Sequence, residues 1–359
     1  MKRTVLLLLV YLVGLSPAAG QEGEERIVRV MTRNVYHGVN AEIFAVPAAT
    51  NFVELLSAVG AVYDGYFARH FEERAQRLAG EIQQQRPDLI GLQEAILVRT
   101  QSPPDGQATW ATYIELDYVQ MLLDALAARG LAYEVVVQSI NFDVELPSFT
   151  KDVRHTVRDV ILARSDAPTS ELKLSNAQAG NFVNNCLLPG PPIPGLPRFI
   201  EIRRGWAAVD VKTRGQSFRF VNTHLDGDCL PFTSAIQEGQ AREVLAGPGS
   251  TSLPLLLVGD LNSPADGTNN TYNWLIGSGF SDAWTLAGEG PGMSCCQSDN
   301  LLNPVSSLGT RIDFVLFRGN LLVRRAIMVG DLPGEPMPSG LVWPSDHAGL
   351  AVELVVPNN

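Results

Sequence analysis

No apolar run in this 359-residue chain is long enough to span a bilayer, which takes about 20 apolar residues. The nearest approach is Thr4 to Leu15, preceded by Lys2 and Arg3 and followed by the small residues Ser16-Pro17-Ala18-Ala19-Gly20, a pattern that reads as a signal peptide over residues 1–20. A secreted or periplasmic, soluble, monomeric protein without a transmembrane anchor is the expectation. Cysteine is absent before Cys186, which excludes a lipid-modified N-terminal cysteine. Positive charge is scarce: 27 Lys and Arg face 38 Asp and Glu, for a net charge of −11. Such a balance disfavours a broad basic face for holding nucleic acid, although a local cation-loaded site can still receive phosphate. No linker divides the remainder, so one domain over residues 26–357 is expected, although the length would admit two.

The four cysteines, Cys186, Cys229, Cys295 and Cys296, are even in number and confined to the second half. In an exported protein that pattern predicts two disulfides. Because Cys295 and Cys296 are adjacent, each is expected to bond to a distant partner rather than to the other.

What the chain does contain is a series of apolar runs that end in polar, chemically able residues. Leu253-Pro254-Leu255-Leu256-Leu257-Val258 runs into Gly259-Asp260-Leu261-Asn262, and side-chain alternation along a strand puts Asp260 and Asn262 on the same side. Alone, this is equally well a strand followed by an Asx-type turn. Five further motifs accompany it: Val30-Met31-Thr32-Arg33-Asn34; Asp88-Leu89-Ile90-Gly91-Leu92-Gln93-Glu94; Phe220-Val221-Asn222-Thr223-His224-Leu225; Arg311-Ile312-Asp313-Phe314-Val315-Leu316; and Ser345-Asp346-His347 before Leu350 to Val356. Singly, Glu94 is compatible with a solvated loop, His224 with a core histidine and Asp313 with a structural ion pair. As a set they are harder to dismiss, because several separate segments each break an apolar pattern with Asp, Glu, Asn or His.

In this order the motifs resemble the endonuclease/exonuclease/phosphatase superfamily, which includes pancreatic-type deoxyribonucleases, abasic-site endonucleases, secreted sphingomyelinases and inositol-polyphosphate phosphatases. The resemblance runs from about Arg26 to Val356. It implies an α/β fold, a four-layer α/β/β/α sandwich around two mixed sheets. It also implies an anionic phosphoester substrate and a divalent cation, Mg²⁺ or Mn²⁺, which hard oxygen donors select over softer metals, with Glu94 as the central metal ligand, Asn34 beside it and Asp346 helping to hold the cation. Asp260 becomes the residue that orients and deprotonates water, and Asn262 a donor to phosphate. Asp313 would fix the tautomer of His347, an acid or base at the scissile phosphate; His224 would be a second phosphate ligand or the leaving-group acid. Asn222, and Arg158 at the opening of a strand, are assigned to phosphate binding. Tyr36, His37 and His155 stay open between substrate contact and packing.

The elements expected between the motifs are helices at 72–86, 112–129, 234–246 and 272–278, strands at 133–138 and 157–164, and a hairpin of 206–212 with 217–222 around a turn at 213–216. Two insertions stand out. Residues 37–71 are rich in aromatics and are compatible with a satellite core or a lid. Residues 181–199 are Pro-rich and apolar, an extended loop or hairpin pinned through Cys186. Three functions compete: a secreted metal-dependent phosphodiesterase of endonuclease type, a hydrolase of phospholipids or other small phosphoesters such as inositol phosphates, and a non-catalytic binding module. A nuclease should flank its metal site with a basic or aromatic strip; a lipid hydrolase should show exposed apolar loops beside the cleft.

Overall fold

A computed structural model describes residues 27–357, apart from 107, 214, 228, 230, 231 and 269. The signal-like segment 1–20 and the Arg214 position of the hairpin turn lie outside the described residues. In chain order the strands begin with β1 (Ile27–Asn34), β2 (Leu89–Gln93), β3 (Leu97–Gln101), β4 (Tyr113–Asp117), β5 (Tyr133–Pro147) and β6 (Asp152–Arg164). There follow β7 (Lys173–Asn181), β8 (Cys186–Pro189), β9 (Phe199–Ile202), β10 (Gly205–Thr213) and β11 (Gln216–His224). The last are β12 (Leu255–Asp260), β13 (Ser281–Asp282), β14 (Asp313–Arg318), β15 (Leu322–Val329) and β16 (Gly349–Val355). The helices are α1 (Asn40–Ile43), α2 (Ala45–Ala48), α3 (Phe52–Ala68), α4 (Phe71–Gln85), α5 (Tyr118–Ala127), α6 (Thr233–Ala246), α7 (Asn270–Gly277) and α8 (Ala283–Ala287). None of them is long and apolar enough to cross a membrane.

Two mixed sheets result. The first runs β15-β16-β1-β2-β6-β3-β4, with β5 also paired to β6; the second runs β13-β14-β12-β11-β10-β7. Alternation along β12 shows how they stack: Leu256 and Val258 enter the core shared by both sheets, whereas Leu255 and Leu257 enter a separate core under α6 and α7. On β1, Val28 and Val30 likewise face the shared core, while Met31 joins a third cluster under α3, α4 and α5. The order of layers is therefore helices, sheet, sheet, helices, the expected four-layer sandwich.

Register then decides where polar side chains gather. Asn34 pairs with Gln93 across parallel β1 and β2, and Asp260 pairs with His224 on one side and Asp313 on the other. By alternation, Asn34, Gln93, Asn222, His224, Asp260 and Asp313 occupy the face that deeper in each strand is apolar. One end of the sandwich interior is thus capped by acids, amides and imidazoles. The close approach of the sheets there explains Gly91, because a Cβ at that position would lie 2.6 Å from Asn222 Oδ1 and 2.7 Å from a Val258 methyl.

Three expectations change. The helix placed at 112–129 is in fact β4 followed by the shorter α5, because Asp117 caps the helix: its carboxylate accepts from the backbone N–H groups of Val119 and Gln120 at 3.1 and 3.3 Å. The strands at 133–138 and 157–164 extend into a long β5–β6 hairpin. The adjacent cysteines do not find the distant partners expected of them: Cys186 joins Cys229, with Cα atoms 5.4 Å apart, and the sulfurs of Cys295 and Cys296 face each other. The reason lies in the fold, which carries Cys186 at the start of β8 to the loop after β11, so that no distant partner remains for the adjacent pair. Segment 181–199 forms most of the β8–β9 hairpin. Insertion 37–71 holds α1, α2 and all of α3, whose Leu55, Val59 and Tyr66 do build core, while Phe44 and Phe52 remain exposed.

Candidate active site

The strand ends open onto a cavity of about 410 Å³, floored by Glu94, His224, Asp260, Asn262, Asp346 and His347. Three backbone positions at this floor have left-handed φ without being glycine: Tyr36 at 57°, Glu94 at 59° and Asn262 at 49°. Such conformations cost of order 1–3 kcal/mol each and persist where the surroundings over-determine them. Here they turn the chain sharply as it leaves β1, β2 and β12. Gly259 is required for the last of these turns: its φ is +143°, and any Cβ would collide with the Thr223 carbonyl.

Glu94 is tied at both oxygens, to Asn34 Nδ2 at 3.0 Å and to the His37 backbone N–H at 2.9 Å. Burial works to raise its pKa, but the imidazoles of His37, His224 and His347 and the Asn34 amide outweigh it, and the net displacement is downward. Asp260 accepts from Asn34 Nδ2 at 3.1 Å and from the Asn262 backbone N–H at 2.9 Å. Burial, reinforced by the charge of Asp313, pushes Asp260 up to about 7.

The two floor histidines sit in opposite environments. His347 Nδ1 lies 2.8 Å from Asp313 Oδ2 and 3.7 Å from Asp260 Oδ2. Burial alone would lower its pKa, but the carboxylates of Asp313, Asp260 and Asp346 carry it well above the usual imidazole range. His224 Nδ1 instead meets the Arg204 guanidinium at 3.2 Å. His224 Nε2 lies 2.9 Å from Asn262 Nδ2 and 3.5 Å from Asp260, so the group nearest each ring nitrogen can only donate, which disfavours a protonated ring. Burial first, and Arg204 second, hold His224 well below its ordinary value. One imidazole is held charged and the other neutral.

Not every expected residue reaches the cavity in its expected role. Asn222 is wholly buried one pair deeper than His224, where its amide donates to the Leu92 and Val160 carbonyls at 2.9 and 3.1 Å and accepts from Gln93 at 2.7 Å. It bolts the two sheets together and does not line the cavity, which corrects its assignment to phosphate. Arg158 is turned away as well: its guanidinium donates to the carbonyls of Ala95 and Ile96 and, at 2.5 Å, to Asp117. Asn34 has its carbonyl oxygen occupied by the Tyr36 N–H at 2.9 Å and shows its nitrogen to the carboxylates. Through these bonds Asn34 positions the Glu94 and Asp260 carboxylates.

Sequence reasoning missed Arg204, which follows Arg203 in an ordinary charged stretch and carries no motif. His37 does line the cavity, at 3.7 Å from Glu94, and so does His155, which bonds the buried Tyr66 hydroxyl. Tyr36 packs in a small cluster with Trp343 and Leu341.

The donor set fits a hard divalent cation. Glu94 and Asp346 both face the cavity, and Asp346 Oδ1 is buried with no hydrogen-bond partner among the described residues. Burial lifts Asp346 to about 7, with His347 opposing and Glu94 reinforcing the rise; a cation would relieve that unpaired, repelling arrangement. Asp260, Asp313 and His347 also bring ligand atoms within 4.8 Å of one another, but the histidine and Asp313 are already mated.

A sequence model of the Endonuclease/Exonuclease/phosphatase family matches residues 34–347. Among curated proteins none matches. Solved structures share the fold at low identity. A family protein from Bacteroides thetaiotaomicron has TM-score 0.58 and 18% identity over 92% of this chain and 95% of that one. A mannosyl-6-phosphatase from the same organism has TM-score 0.56 and 18% identity over 92% and 100%. A protein from Beutenbergia cavernae has TM-score 0.56 and 20% identity over 93% and 72%.

Proposed function

The chain belongs to the endonuclease/exonuclease/phosphatase family, and from that premise we propose that it is an exported, metal-dependent phosphoester hydrolase that uses water as nucleophile. The observation that carries this reading is the convergence of Glu94, Asp260, Asp346, His224 and His347 from separate strand ends on one cavity floor, with Asp313 fixing His347 at 2.8 Å. Asp260, held by Asn34 and the Asn262 N–H, accepts a proton from the attacking water as the new P–O bond forms. The bond from phosphorus to the leaving oxygen breaks as His347, charged and braced by Asp313, supplies a proton to that oxygen. His224, held neutral, and the Asn262 amide hydrogen-bond the phosphoryl oxygens. A Mg²⁺- or Mn²⁺-type cation held by Glu94 and Asp346 would offset the charge that builds on those oxygens. The Cys186–Cys229 disulfide supports export, since such bonds persist in oxidising compartments.

The test is a panel assay with Mg²⁺, Mn²⁺ and Ca²⁺ on plasmid DNA, RNA, sphingomyelin, sugar phosphates and inositol phosphates. Cleavage of at least one ester is expected, abolished by chelator and lowered about 100-fold or more by Glu94→Ala or His347→Ala. Cleavage of none, or a residual activity indifferent to both substitutions, contradicts the reading.

A further inference from the structure

Beyond its polar floor, the cavity has walls that a phosphate site does not need. Insertion 37–71 contributes Ile43, Val46, Val59 and Val62; the β5–β6 hairpin contributes Val144, Leu146, Val153 and Val157; the β8–β9 hairpin contributes Leu188, Ile200 and Ile202. These walls are aliphatic and continuous with the carboxylate floor. At about 410 Å³ the cavity lies within the range of small-ligand pockets, roughly 300–1,000 Å³.

The wall chemistry discriminates among phosphoesters. A nucleotide base is held by stacking on aromatic faces, yet the non-histidine aromatics here are only Phe44 and Phe142, and the Phe142 ring already packs edge-on to His155 at 5.9 Å. A sugar needs several hydrogen-bonding partners for its hydroxyls; away from the floor the Asn141 amide is already committed, donating to Asp159 at 2.6 Å and accepting from Ser139 at 3.0 Å, which leaves Asn40, His37 and His155 among the aliphatic side chains of the walls. The cationic groups Arg203, Arg204 and His347, with the neutral His224 imidazole beside them, mark where the phosphate would sit, leaving the aliphatic walls for the rest of the substrate. Phe44, which lines the cavity from the 37–71 insertion, is 56% exposed.

We propose that the cavity takes the aliphatic chain of a phosphoester, with the 37–71 insertion and the β8–β9 hairpin as its specificity-determining wall. This rests on the phosphoester-hydrolase reading of the floor. Burying each methylene of such a chain is worth about 0.8 kcal/mol at most, or about fourfold in affinity. A chain enters by displacing water from surfaces that hydrogen-bond it poorly, so binding strengthens with length until the cavity is full.

The experiment is calorimetric titration of the Mg²⁺-loaded protein with methyl-, butyl- and octylphosphonate, which bind without turnover, alongside adenosine monophosphate. Affinity should rise two- to fourfold per methylene between the first two phosphonates, and octylphosphonate should outbind the nucleotide. Ile43→Ser, and separately Leu188→Ser in the disulfide-pinned hairpin outside the main core, should each lower the octyl-to-methyl affinity ratio by fivefold or more. A flat series, a nucleotide that binds more tightly than octylphosphonate, or an unchanged ratio in both folded variants overturns the proposal. An intact gradient in a protein that cleaves no phosphoester would overturn the hydrolase reading and leave the chain site standing; a flat gradient in an active enzyme does the reverse.

Discussion

His155 shows how burial alone sets the behaviour of a titratable side chain. Enclosed by Tyr66, Phe142 and His37, its pKa is lowered to about 3, by desolvation first and by the like charge of His37 second. The folded value lies below the ordinary 6.5, so between these values the unfolded chain binds a proton that the folded chain does not. The stability this histidine contributes is therefore whole above about pH 6.5 and is lost as pH falls toward 3, by up to about 1.4 kcal/mol per pH unit. Urea midpoints measured at pH 7 and 4.5 should fall further in the parent than in His155→Phe, and equal falls would refute the assignment. Arg158 makes the complementary point. From sequence it looked like a phosphate ligand at a strand opening, whereas its bonds to Ala95, Ile96 and Asp117 make it a brace for the turn that carries Glu94. Arg158→Ala should cost about 3 kcal/mol in thermal or denaturant unfolding. A large rise in KM with no loss of stability would restore the phosphate role.

At the level of elements, strands were legible because their apolar runs end abruptly, and the polar residue at each end marks the boundary. The motif residues of β1, β2, β11, β12 and β14 could thus be placed before their neighbours were known. What the pattern cannot give is depth: Asn222 and His224 share a face and a motif, and only sheet pairing reveals that one is a buried bolt and the other a floor residue. Side-chain commitments are equally hidden, as with the Asn34 oxygen taken by Tyr36. Helix 112–129 was over-extended because Tyr113-Ile114-Glu115-Leu116 suits either period, and the pairing of β4 with β3 decided it. The β8–β9 hairpin carries a prediction of its own. It is tethered by Cys186–Cys229 across 43 residues of sequence, and a cross-link of that span stabilises by about 2–4 kcal/mol. Replacing both cysteines with serine should lower the unfolding midpoint accordingly; an unchanged midpoint would mean that the strands hold the hairpin without it.

Across the whole molecule, an acidic surface of net charge −11 surrounds a site whose own cations are a few arginines and histidines. The sandwich explains how this works: two sheets share an apolar core that excludes water, and register brings every chemically able residue to one end of it. Low dielectric there strengthens the carboxylate–imidazole interactions and holds the two histidines in different protonation states. The most direct test of this arrangement is the metal-dependent cleavage rate of the best phosphoester substrate in four proteins: the parent, Glu94→Ala, His347→Ala and Asp313→Asn. The account predicts that chelation stops the parent and that each substitution lowers kcat by about 100-fold or more with folding intact. Rates within a factor of a few of the parent, or cleavage that survives chelation, would contradict it.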